Sequence, residues 1–591
     1  MRHICQKEEP IVRGSAGSKL RAENVADLMV AHLAELDVEY VFLNPGTDTA
    51  PFQEAIARCL EARRPAPRVI LCPHESVALS AAHAYYAATG RPQVVMVHVD
   101  VGTQNLGSMV HNAFRGEAAV VVIAGRTPVT SLGELPGGRD HVVHWQQDVP
   151  DQAGIVRSYV KAALDLERPE TVTAQLTRGF QLAAAPSPGP VYVTVHRELL
   201  MESAPPRSST DCDVRRHRVP AGTSPDPAAV EAAADIVAAS ERPVIVTTRV
   251  GRDPEVIPSL VALAEATGAV VVDRRERMNF PSTHSAYVTR PSSVRRALEE
   301  SDLLILVDCA VPWVPTLAAP PADAKVISVD YDPVKSTTPG WAFPVDLALQ
   351  CTPRLGVRSL VDALRRREVT ARDHWLTEPH AGSPEQFGPT NGTFPMASVA
   401  RALARALSDD DIIIEEATTN AEALREYLPR DLPGSIFHAG GSGLGWGLGG
   451  ALGAKLAHPD RTVVAVVGDG SFLFSSPVAA LWTARRVHAP FLTVILANGG
   501  YAASRRPVLD WFPEGESAAR ADVVGTRLDD PPDFAAVAVA CGAEGIEVTP
   551  DRSLDSALQE GLRRTRQGRC AVINIPVSSP WFDQDAPAWE A

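Results

Sequence analysis

Candidate ligands for a cation follow two apolar runs in the last third of the sequence. Asp469 stands within the sequence GDGS directly after Val463–Val467, and Asn498 comes after Leu492–Leu496. Because the carboxyl ends of parallel strands meet at one edge of a sheet, both side chains can face one site. Carboxylate and amide oxygens are hard ligands that suit Mg²⁺, and the glycines beside Asp469 allow a phosphate to approach the backbone. The plain alternative is a strand–turn–helix in which Asp469 only caps the helix.

Candidate groups for proton transfer lie in the first half of the sequence. Glu75 sits where an apolar run ending at Leu71 gives way to an apolar helix, His98 follows the run Val94–Val97, and His284 ends the sequence FPSTH. Histidine is the side chain that titrates near neutral pH, so it can take up or release a proton during a reaction. The plain alternatives are a helix-capping acid for Glu75 and buried structural rings for the two histidines.

The elements that must position these residues follow an α/β pattern. Apolar runs of strand length alternate with amphipathic stretches, which is typical of parallel sheets covered by helices on both faces. The predicted fold class is therefore α/β, with three open, mostly parallel, doubly wound sheet domains. The predicted boundaries are a tail at 1–20, a first domain at 21–202, a linker at 203–226, a central domain at 227–364, a linker at 365–393 and a third domain at 394–591.

Composition restricts the class of partner. The 591 residues are 45% hydrophobic and 21% charged, so the chain is expected to fold rather than remain disordered. A formal charge of −15 argues against nucleic acid or an anionic membrane surface as a partner. The eight cysteines contain no C-x-x-C pair, and no run of about 18 apolar residues or signal peptide is recognisable. These observations predict a cytoplasmic protein with reduced thiols.

The motifs around Asp469 resemble those of thiamine-diphosphate-dependent enzymes. GDGS, then ALWTA at 480–484, then Asn498-Gly499-Gly500-Tyr501 is similar to the cofactor fingerprint of the acetolactate synthase and benzoylformate decarboxylase group. The resemblance extends over roughly residues 20–580, although Ala497 stands where relatives carry a first Asn. It implies Mg²⁺ held by Asp469, Asn498 and the Gly500 carbonyl, bridging to the diphosphate of the cofactor.

The resemblance also implies the remaining cofactor contacts. The sequence HAGGSGLGWGLGGA at 438–451 is similar to the GGLGW segment of the family, which implies cofactor contacts by Ser442 and Leu444. Its match to G-x-G-x-x-G does not directly follow a strand, so a dinucleotide site is disfavoured. Other implied cofactor-binding positions are Asn44, Glu75, Thr418, Thr419, Gly470, Ser471 and Tyr501. A helix cap is the plain alternative for the two threonines.

In the first domain, the resemblance implies catalytic roles. The sequence HESVALSAAHAYYAATG places Glu75 where the family glutamate bonds the aminopyrimidine nitrogen. Thr47, in NPGT, falls at a substrate-binding serine of benzoylformate decarboxylase. His98 and His284 match its two active-site histidines, whereas acetolactate synthases typically lack the first. In the central domain, Arg249 and Arg252 stand where flavin-containing members have a glycine-rich turn, so FAD is not supported, and both arginines are expected to be solvated or to bind an anion.

The implied function is a thiamine-diphosphate and Mg²⁺ dependent enzyme that decarboxylates a 2-oxo acid, with possible carboligation as in acetolactate synthase. One alternative is a benzoylformate-type decarboxylase without carboligation. A second, from a different class, is an inactive cofactor-binding regulatory homologue, which Ala497 and an unusual predicted loop at Val99–Asn105 suggest. Relatives bind the two ends of the cofactor with different subunits, so a homodimer or dimer of dimers is expected, with active sites at the subunit interface.

Overall fold

Three parallel six-stranded sheets, with helices on their faces, form the protein in this computed structural model. The structure describes residues 22–206, 212–219, 222–369, 371–378, 389 and 391–582. Every pairing between two strands of these sheets is parallel, which confirms the predicted α/β class. The predicted tail at 1–20 and parts of both predicted linkers lie outside the described residues, and the domain boundaries stay predictions.

The first sheet has the strand order β2-β1-β3-β4-β6-β5. Its strands are β1 Tyr40–Leu43, β2 Arg68–Leu71, β3 Gln93–Val97, β4 Val120–Arg126, β5 Ala162–Leu166 and β6 Val191–His196. Its helices are α1 Val25–Glu35, α2 Ala50–Glu61, α3 Glu75–Thr89, α4 Val99–Asn105, α5 Ser108–Arg115, α6 Val143–Gln146, α7 Val172–Ala184 and α8 Arg197–Met201. The connections leave β1 and β3 in opposite directions along the sheet, which makes a topological switch point between them.

The central sheet has the order β12-β11-β10-β7-β8-β9. Its strands are β7 Pro243–Thr247, β8 Val270–Asp273, β9 Tyr287–Val288, β10 Leu303–Val307, β11 Lys325–Asp330 and β12 Leu347–Gln350. Its helices are α9 Pro227–Ala239, α10 Ile257–Thr267, α11 Pro291–Glu299 and α12 Pro353–Arg366. This strand order is that of the doubly wound dinucleotide-binding folds, but strand order alone assigns no ligand.

The third sheet, with order β14-β13-β15-β16-β18-β17, repeats the topology of the first. Its strands are β13 Ile412–Glu416, β14 Ile436–Phe437, β15 Val463–Gly468, β16 Leu492–Ala497, β17 Glu544–Glu547 and β18 Ala571–Pro576. Its helices are α13 Met396–Ala406, α14 Ala421–Tyr427, α15 Gly447–Ala457, α16 Asp469–Phe474, α17 Pro477–Arg486, α18 Ala502–Trp511, α19 Glu516–Ala519, α20 Phe534–Ala540 and α21 Leu554–Arg566. Its switch point lies between β13 and β15.

The first and third sheets share a hydrophobic core through helices α3 and α15. Buried apolar side chains from both helices belong to one continuous cluster. The helices approach closely because α15 carries small residues: a Cβ added at Gly453 would lie 2.0 Å from the Ala81 carbonyl oxygen. Any larger residue at 453 would therefore push α15 away from α3.

The first and central domains are joined by largely covered ion pairs: of the two expectations for Arg249 and Arg252, solvation is wrong, and the anions that they contact are carboxylates of this chain. Arg249 is buried and Arg252 is half-buried against Glu117 of the first domain, with an Arg252 Nη1 to Glu117 Oε2 distance of 2.7 Å. Arg249 also pairs with Glu276, and Arg252 with Asp308. Burial alone would raise the pKa of Glu117, but the two guanidinium groups hold it well below its ordinary value. Within the described ranges, no helix is long and apolar enough to cross a membrane.

Candidate active site

Three adjacent strands of the first sheet deliver the predicted residues of that domain to one edge. Glu75 begins α3 after β2, Asn44 and Thr47 follow β1, and His98 follows β3. Because β1 and β3 flank the switch point, the loops that follow them border a crevice at the carboxyl edge of the sheet. The Asn44 N–H is tied to this edge by donating to the Met96 carbonyl at 3.0 Å.

Glu75 is a buried carboxylate held by a helix that was expected to be a loop. Val99–Asn105 forms α4, and the Asn105 side-chain amide donates to Glu75 Oε2 at 2.6 Å. Gly102 of the same helix lies against the other oxygen, since an added Cβ would be 3.3 Å from Glu75 Oε1. The unusual sequence of α4 therefore supports Glu75, and the loop expectation for this segment is wrong.

His98 is contacted through both ring nitrogens. Its Nδ1 forms a short hydrogen bond with Asp48 Oδ1, and its Nε2 lies 2.9 Å from the Gln147 side-chain amide nitrogen. Burial alone would lower the pKa of His98. The hydrogen bond and charge of Asp48, together with the charges of Asp100 and Glu75, outweigh burial, so the net shift of the pKa is upward. His98 is thus a partly buried base surrounded by acids, not an isolated core histidine.

Thr47 and His284 have different surroundings. Thr47 is exposed next to this crevice, with its Oγ1 3.5 Å from Nε2 of the buried His144. The described contacts of His284 lie within the central domain: its Nε2 is 3.6 Å from Glu265 Oε1, and its ring packs edge-on against Phe280 and His374. The chain therefore brings Thr47 towards the Glu75 and His98 edge and leaves His284 apart from it.

The third sheet presents the predicted metal ligands at its own carboxyl edge. Asp469 begins α16 after β15, and Asn498 and Gly500 follow the neighbouring strand β16. Asp469 Oδ1 accepts the Gly470 N–H at 2.8 Å, and Oδ2 accepts those of Gly499 and Gly500 at 2.9 and 3.1 Å. The Asn498 side-chain oxygen accepts the Gly500 N–H at 3.4 Å. These bonds hold Asp469, after β15, against the turn after β16 that carries Asn498 and Gly500.

Backbone geometry around this turn requires glycine. Gly500 has φ +143°, and a Cβ there would lie 2.2 Å from the Thr526 carbonyl oxygen. The Tyr501 ring stands against Gly470, where an added Cβ would meet Tyr501 Cε1 at 2.6 Å. Ser471 is buried, and its hydroxyl donates to the Glu416 carbonyl at 3.3 Å. The turn is therefore built without space for larger side chains at Gly470 or Gly500.

Thr418 and Thr419 are exposed on the same edge of the sheet. They open a 3-10 helix, Thr418–Asn420, two residues after β13 ends. Since β13 and β15 flank the switch point of the third sheet, both hydroxyls border the crevice that receives Asp469. This is the placement that phosphate-binding hydroxyls need.

The glycine-rich segment before α15 is occupied by an internal carboxylate. Glu416, at the end of β13, accepts the N–H groups of Gly445, Trp446 and Gly447 at 2.7, 3.1 and 2.9 Å. These N–H groups are the ones that a dinucleotide phosphate would use at a G-x-G-x-x-G helix start. The α15 terminus is thus filled, which agrees with rejecting a dinucleotide site there.

Ser442 and Leu444 lie between the first and third domains. Ser442 is exposed, and its N–H donates to Nε2 of His111 on α5 at 3.3 Å, while Leu444 is half-buried. Next to them, the Asn112 amide donates to the Gly443 carbonyl at 2.7 Å and accepts its N–H at 2.8 Å. The segment is fixed by α5 on one side and by Glu416 on the other.

Asp469 has the properties of a cation ligand. Asp469 is buried, and its described hydrogen bonds are all with backbone N–H groups. These bonds offset only part of the cost of burying its negative charge. Burial raises the pKa of Asp469, although these N–H groups act in the opposite direction. Asp469 has no cationic partner among the described residues, and a carboxylate beside amide and carbonyl oxygens suits a hard divalent cation such as Mg²⁺. The donor set therefore fits the implied metal.

Comparison with known proteins accounts for this two-part site. Residues 23–155 match the description "Thiamine pyrophosphate enzyme, N-terminal TPP binding domain", residues 230–360 match its central domain, and residues 417–575 match its C-terminal TPP binding domain. The chain belongs to the thiamine pyrophosphate enzyme family. Within this family, its Glu75 edge lies in the N-terminal domain and its Asp469 edge in the C-terminal domain.

Individual members of the family are distant in sequence. The chain is 27% identical to benzoylformate decarboxylase of Pseudomonas aeruginosa, covering 91% of this chain and 96% of that protein. It is 24% identical to the acetolactate synthase large subunit of Haemophilus influenzae, covering 94% of both. The solved 4-hydroxybenzoylformate decarboxylase of Rhodococcus jostii superposes with a TM-score of 0.78 at 23% identity, covering 94% of this chain and 99% of that one, which shows a shared fold.

Three residues of the site escaped the sequence analysis. Asp48 lies one residue beyond the NPGT turn, Gln147 lies in a polar loop about 50 residues from His98, and Glu416 follows an apolar strand. Glu416 carried no local signal, because the helix start that its carboxylate contacts lies 31 residues further along the chain. Asp48 and Gln147 become recognisable only once the sheet brings their loops together.

Proposed function

We propose that the protein is a thiamine-diphosphate and Mg²⁺ dependent decarboxylase of a 2-oxo acid that returns a proton to the product and releases an aldehyde. The observation that carries the last step is the contact of His98 with Asp48 and Gln147 beside Glu75. A raised pKa means that His98 keeps its proton to higher pH than an ordinary histidine, which suits a group that donates a proton to the product. The benzoylformate decarboxylase relative, aligned over 91% of the chain, supports the reaction class.

The residues present would hold the cofactor at two ends. Asp469, Asn498 and the Gly500 carbonyl would bind Mg²⁺, with the exposed hydroxyls of Thr418 and Thr419 towards the diphosphate. Remaining contacts are proposed for Asn44, Ser442, Leu444, Gly470, Ser471 and Tyr501. Thiamine diphosphate supplies a nucleophilic carbon and an electron sink for the pair of electrons left by carbon dioxide.

The protein groups would carry out binding and proton transfer. Glu75 would share a proton with a pyrimidine nitrogen, and its burial favours a strong hydrogen bond there. Thr47, exposed at the same edge, would bind the substrate. His98 would hold the proton that the product receives, since Asp48 keeps its ring oriented. His284 would act only if a partner chain or a conformational change brought it to this edge.

Thermal stability in the presence of the cofactor tests the proposal. A ligand that binds only the native state raises the unfolding temperature, and the rise grows with its concentration. We expect thiamine diphosphate plus Mg²⁺ to raise the unfolding temperature, thiamine diphosphate plus EDTA to raise it less, and Asp469→Ala to abolish the effect of Mg²⁺. No rise for the wild-type protein would overturn the proposal. A rise without any turnover of 2-oxo acids would favour the regulatory homologue.

Carboligation is the second candidate, supported by the acetolactate synthase relative, which aligns over 94% of the chain. In that case the new bond would form to the carbonyl carbon of a second 2-oxo acid rather than to a proton. Incubation with pyruvate and with an aromatic 2-oxo acid distinguishes the outcomes. Aldehyde as the main product supports the decarboxylase, whereas acetolactate or another acyloin supports carboligation.

We also propose a homodimer or a dimer of dimers. Large apolar side chains remain exposed around the Asp469 edge, including Phe474 at 57% and Val478 at 62%, and Trp145 is 54% exposed near the His98 edge. Apolar surface of this kind in one region marks an interaction site. A second copy of the chain would cover it and would place the two edges of the site opposite each other.

A further inference from the structure

Asp48 is fixed in space on both sides of its carboxylate. It is buried in the turn between β1 and α2, and Oδ1 contacts His98 Nδ1. A Cβ added at Gly46 would lie 2.0 Å from His98 Nδ1, and one added at Gly125 would lie 1.7 Å from Asp48 Oδ2. Backbone therefore packs directly on the pair, and neither ring nor carboxylate has space to turn away.

The contact determines which nitrogen of His98 carries a proton. An ionised carboxylate only accepts hydrogen bonds, so Nδ1 must be the N–H that meets Asp48. In the neutral ring, Nε2 is then an acceptor, and the Gln147 amide nitrogen at 2.9 Å is a matching donor. The main chain at Gln147 is anchored, because its backbone carbonyl accepts a hydrogen bond from the Thr127 hydroxyl at 2.9 Å.

Three acids from different elements surround His98. Asp48 comes from the turn before α2, Asp100 from α4 and Glu75 from the start of α3. Glu75 is bonded to Asn105, whereas Asp100 Oδ1 and Asp48 Oδ2 are buried without a hydrogen-bond partner in the described part of the chain. Only Asp48 contacts the ring, so the other two act on it through their charge.

We propose that Asp48 is a positioning residue, which holds the proton of His98 at Nδ1 and so presents Nε2, covered by Gln147, to the substrate. This inference rests on the proposed function, which identifies the group that receives the proton. The arrangement gives the two ring nitrogens different tasks. Nδ1 orients the ring through Asp48, and Nε2 exchanges a proton with the reacting atom. Substrate would displace Gln147, since both need the same nitrogen.

The test compares Asp48→Asn with the wild-type protein by ¹⁵N NMR of labelled histidine, with His98→Gln to identify the His98 signals. In the wild type, the neutral His98 ring is expected to carry its proton at Nδ1. In Asp48→Asn, we expect a lower pKa for His98, a mixture of tautomers and a kcat reduced by about tenfold or more with KM less affected, because orientation of a general acid is lost. The limb of the kcat–pH profile that reports His98 should move to lower pH.

Asp27→Asn is the matched control. Asp27 is also in the first domain and binds Arg58 through its carboxylate, so this variant loses a comparable ion pair away from His98. It should leave the His98 tautomer, its pKa and the pH profile unchanged. A similar change in both variants would indicate general loosening and would overturn the positioning role.

The outcomes separate this inference from the proposed function. NMR is performed on cofactor-free protein, so a wild-type chain that fails to bind thiamine diphosphate contradicts the proposed function alone. A wild-type His98 with its proton at Nε2, or an Asp48→Asn protein with unchanged tautomer and pKa, overturns the role of Asp48 alone. The wild-type measurement needs no variant and so decides the question even if Asp48→Asn does not fold.

Discussion

At the scale of single residues, Glu75 is the group whose removal should separate turnover from cofactor binding. Glu75→Gln keeps the size of the side chain and an acceptor, and the Asn105 amide at 2.6 Å still has an oxygen to meet. The proton that Glu75 would share is lost. We expect kcat to fall by about a hundred-fold or more, with the rise in unfolding temperature on adding cofactor and Mg²⁺ largely retained.

Glu39→Gln is the matched control for this variant. Glu39 is a partly exposed acid of the same domain that binds Arg91 and the Tyr85 hydroxyl, away from the carboxyl edge of the sheet. Its substitution should change stability slightly and leave kcat within about twofold of the wild type. Full activity in Glu75→Gln would contradict the role assigned to Glu75.

The positions of the candidate site residues in the fold could be predicted where these residues lie at or just after the end of a strand. Glu75 and His98 follow strands of the first sheet, and Asp469 and Asn498 follow strands of the third, so parallel strands deliver each pair to one edge of its own sheet. Asp48 could not be singled out, because an acid in a turn is usually solvated and its burial depends on β4 passing behind it at Gly125. Such contacts depend on the assembled sheet rather than on local spacing.

At the scale of elements, helix α15 depends on a buried carboxylate at its first turn. Burial raises the pKa of Glu416 from 4.5 to about 7, although three backbone N–H groups favour its ionised form. Between pH 4.5 and about 7, the folded chain therefore holds a proton that the unfolded chain has released, and stability falls as pH rises through this range. Such a shift corresponds to about 3 kcal/mol in the free energy of unfolding.

Glu416→Gln is expected to remove this part of the pH dependence. Glutamine cannot ionise, so the decline in the free energy of unfolding between pH 4.5 and about 7 should become shallower. Chemical denaturation at several pH values measures this pH dependence. The control is Glu422→Gln, because Glu422 is an exposed acid on α14. An unchanged slope in Glu416→Gln would show that Glu416 does not titrate in this range.

The sheets show which elements a sequence pattern reveals. The apolar runs Val94–Val97, Val463–Val467 and Leu492–Leu496 predicted the internal strands β3, β15 and β16 to within one residue at each end. The strands that the pattern missed all lie at sheet edges: β5, β9, β12, β14 and β17. An edge strand is short or half-exposed, as in β5, where exposed and covered residues alternate. Continuous hydrophobicity is a property of buried parallel strands and is absent there.

At the scale of the whole molecule, the three domains are joined by contacts of different kinds. The first and third share the apolar α3–α15 interface, whereas the first and central domains meet through Glu117, Arg249 and Arg252. A buried ion pair adds little net stability but is costly to break, because the remaining charge stays buried. These ion pairs therefore hold the central domain in a defined orientation relative to the first domain.

Complementation between two inactive variants tests whether each site is shared by two chains. If Glu75 of one chain works with Asp469 of its partner, a heterodimer of Glu75→Gln and Asp469→Ala has one site with both changes and one intact site. Half of the dimers in an equal, exchanging mixture are heterodimers, so about a quarter of the wild-type activity should return. If both residues served one chain, every site would carry a change and the mixture would stay inactive. The control mixes Glu75→Gln with Asp48→Asn, whose changed residues both lie in the first domain. An intact site needs both residues from the first domain of one chain, so this mixture should show no more than the residual activity of Asp48→Asn. Light scattering of each mixture verifies that dimers are present.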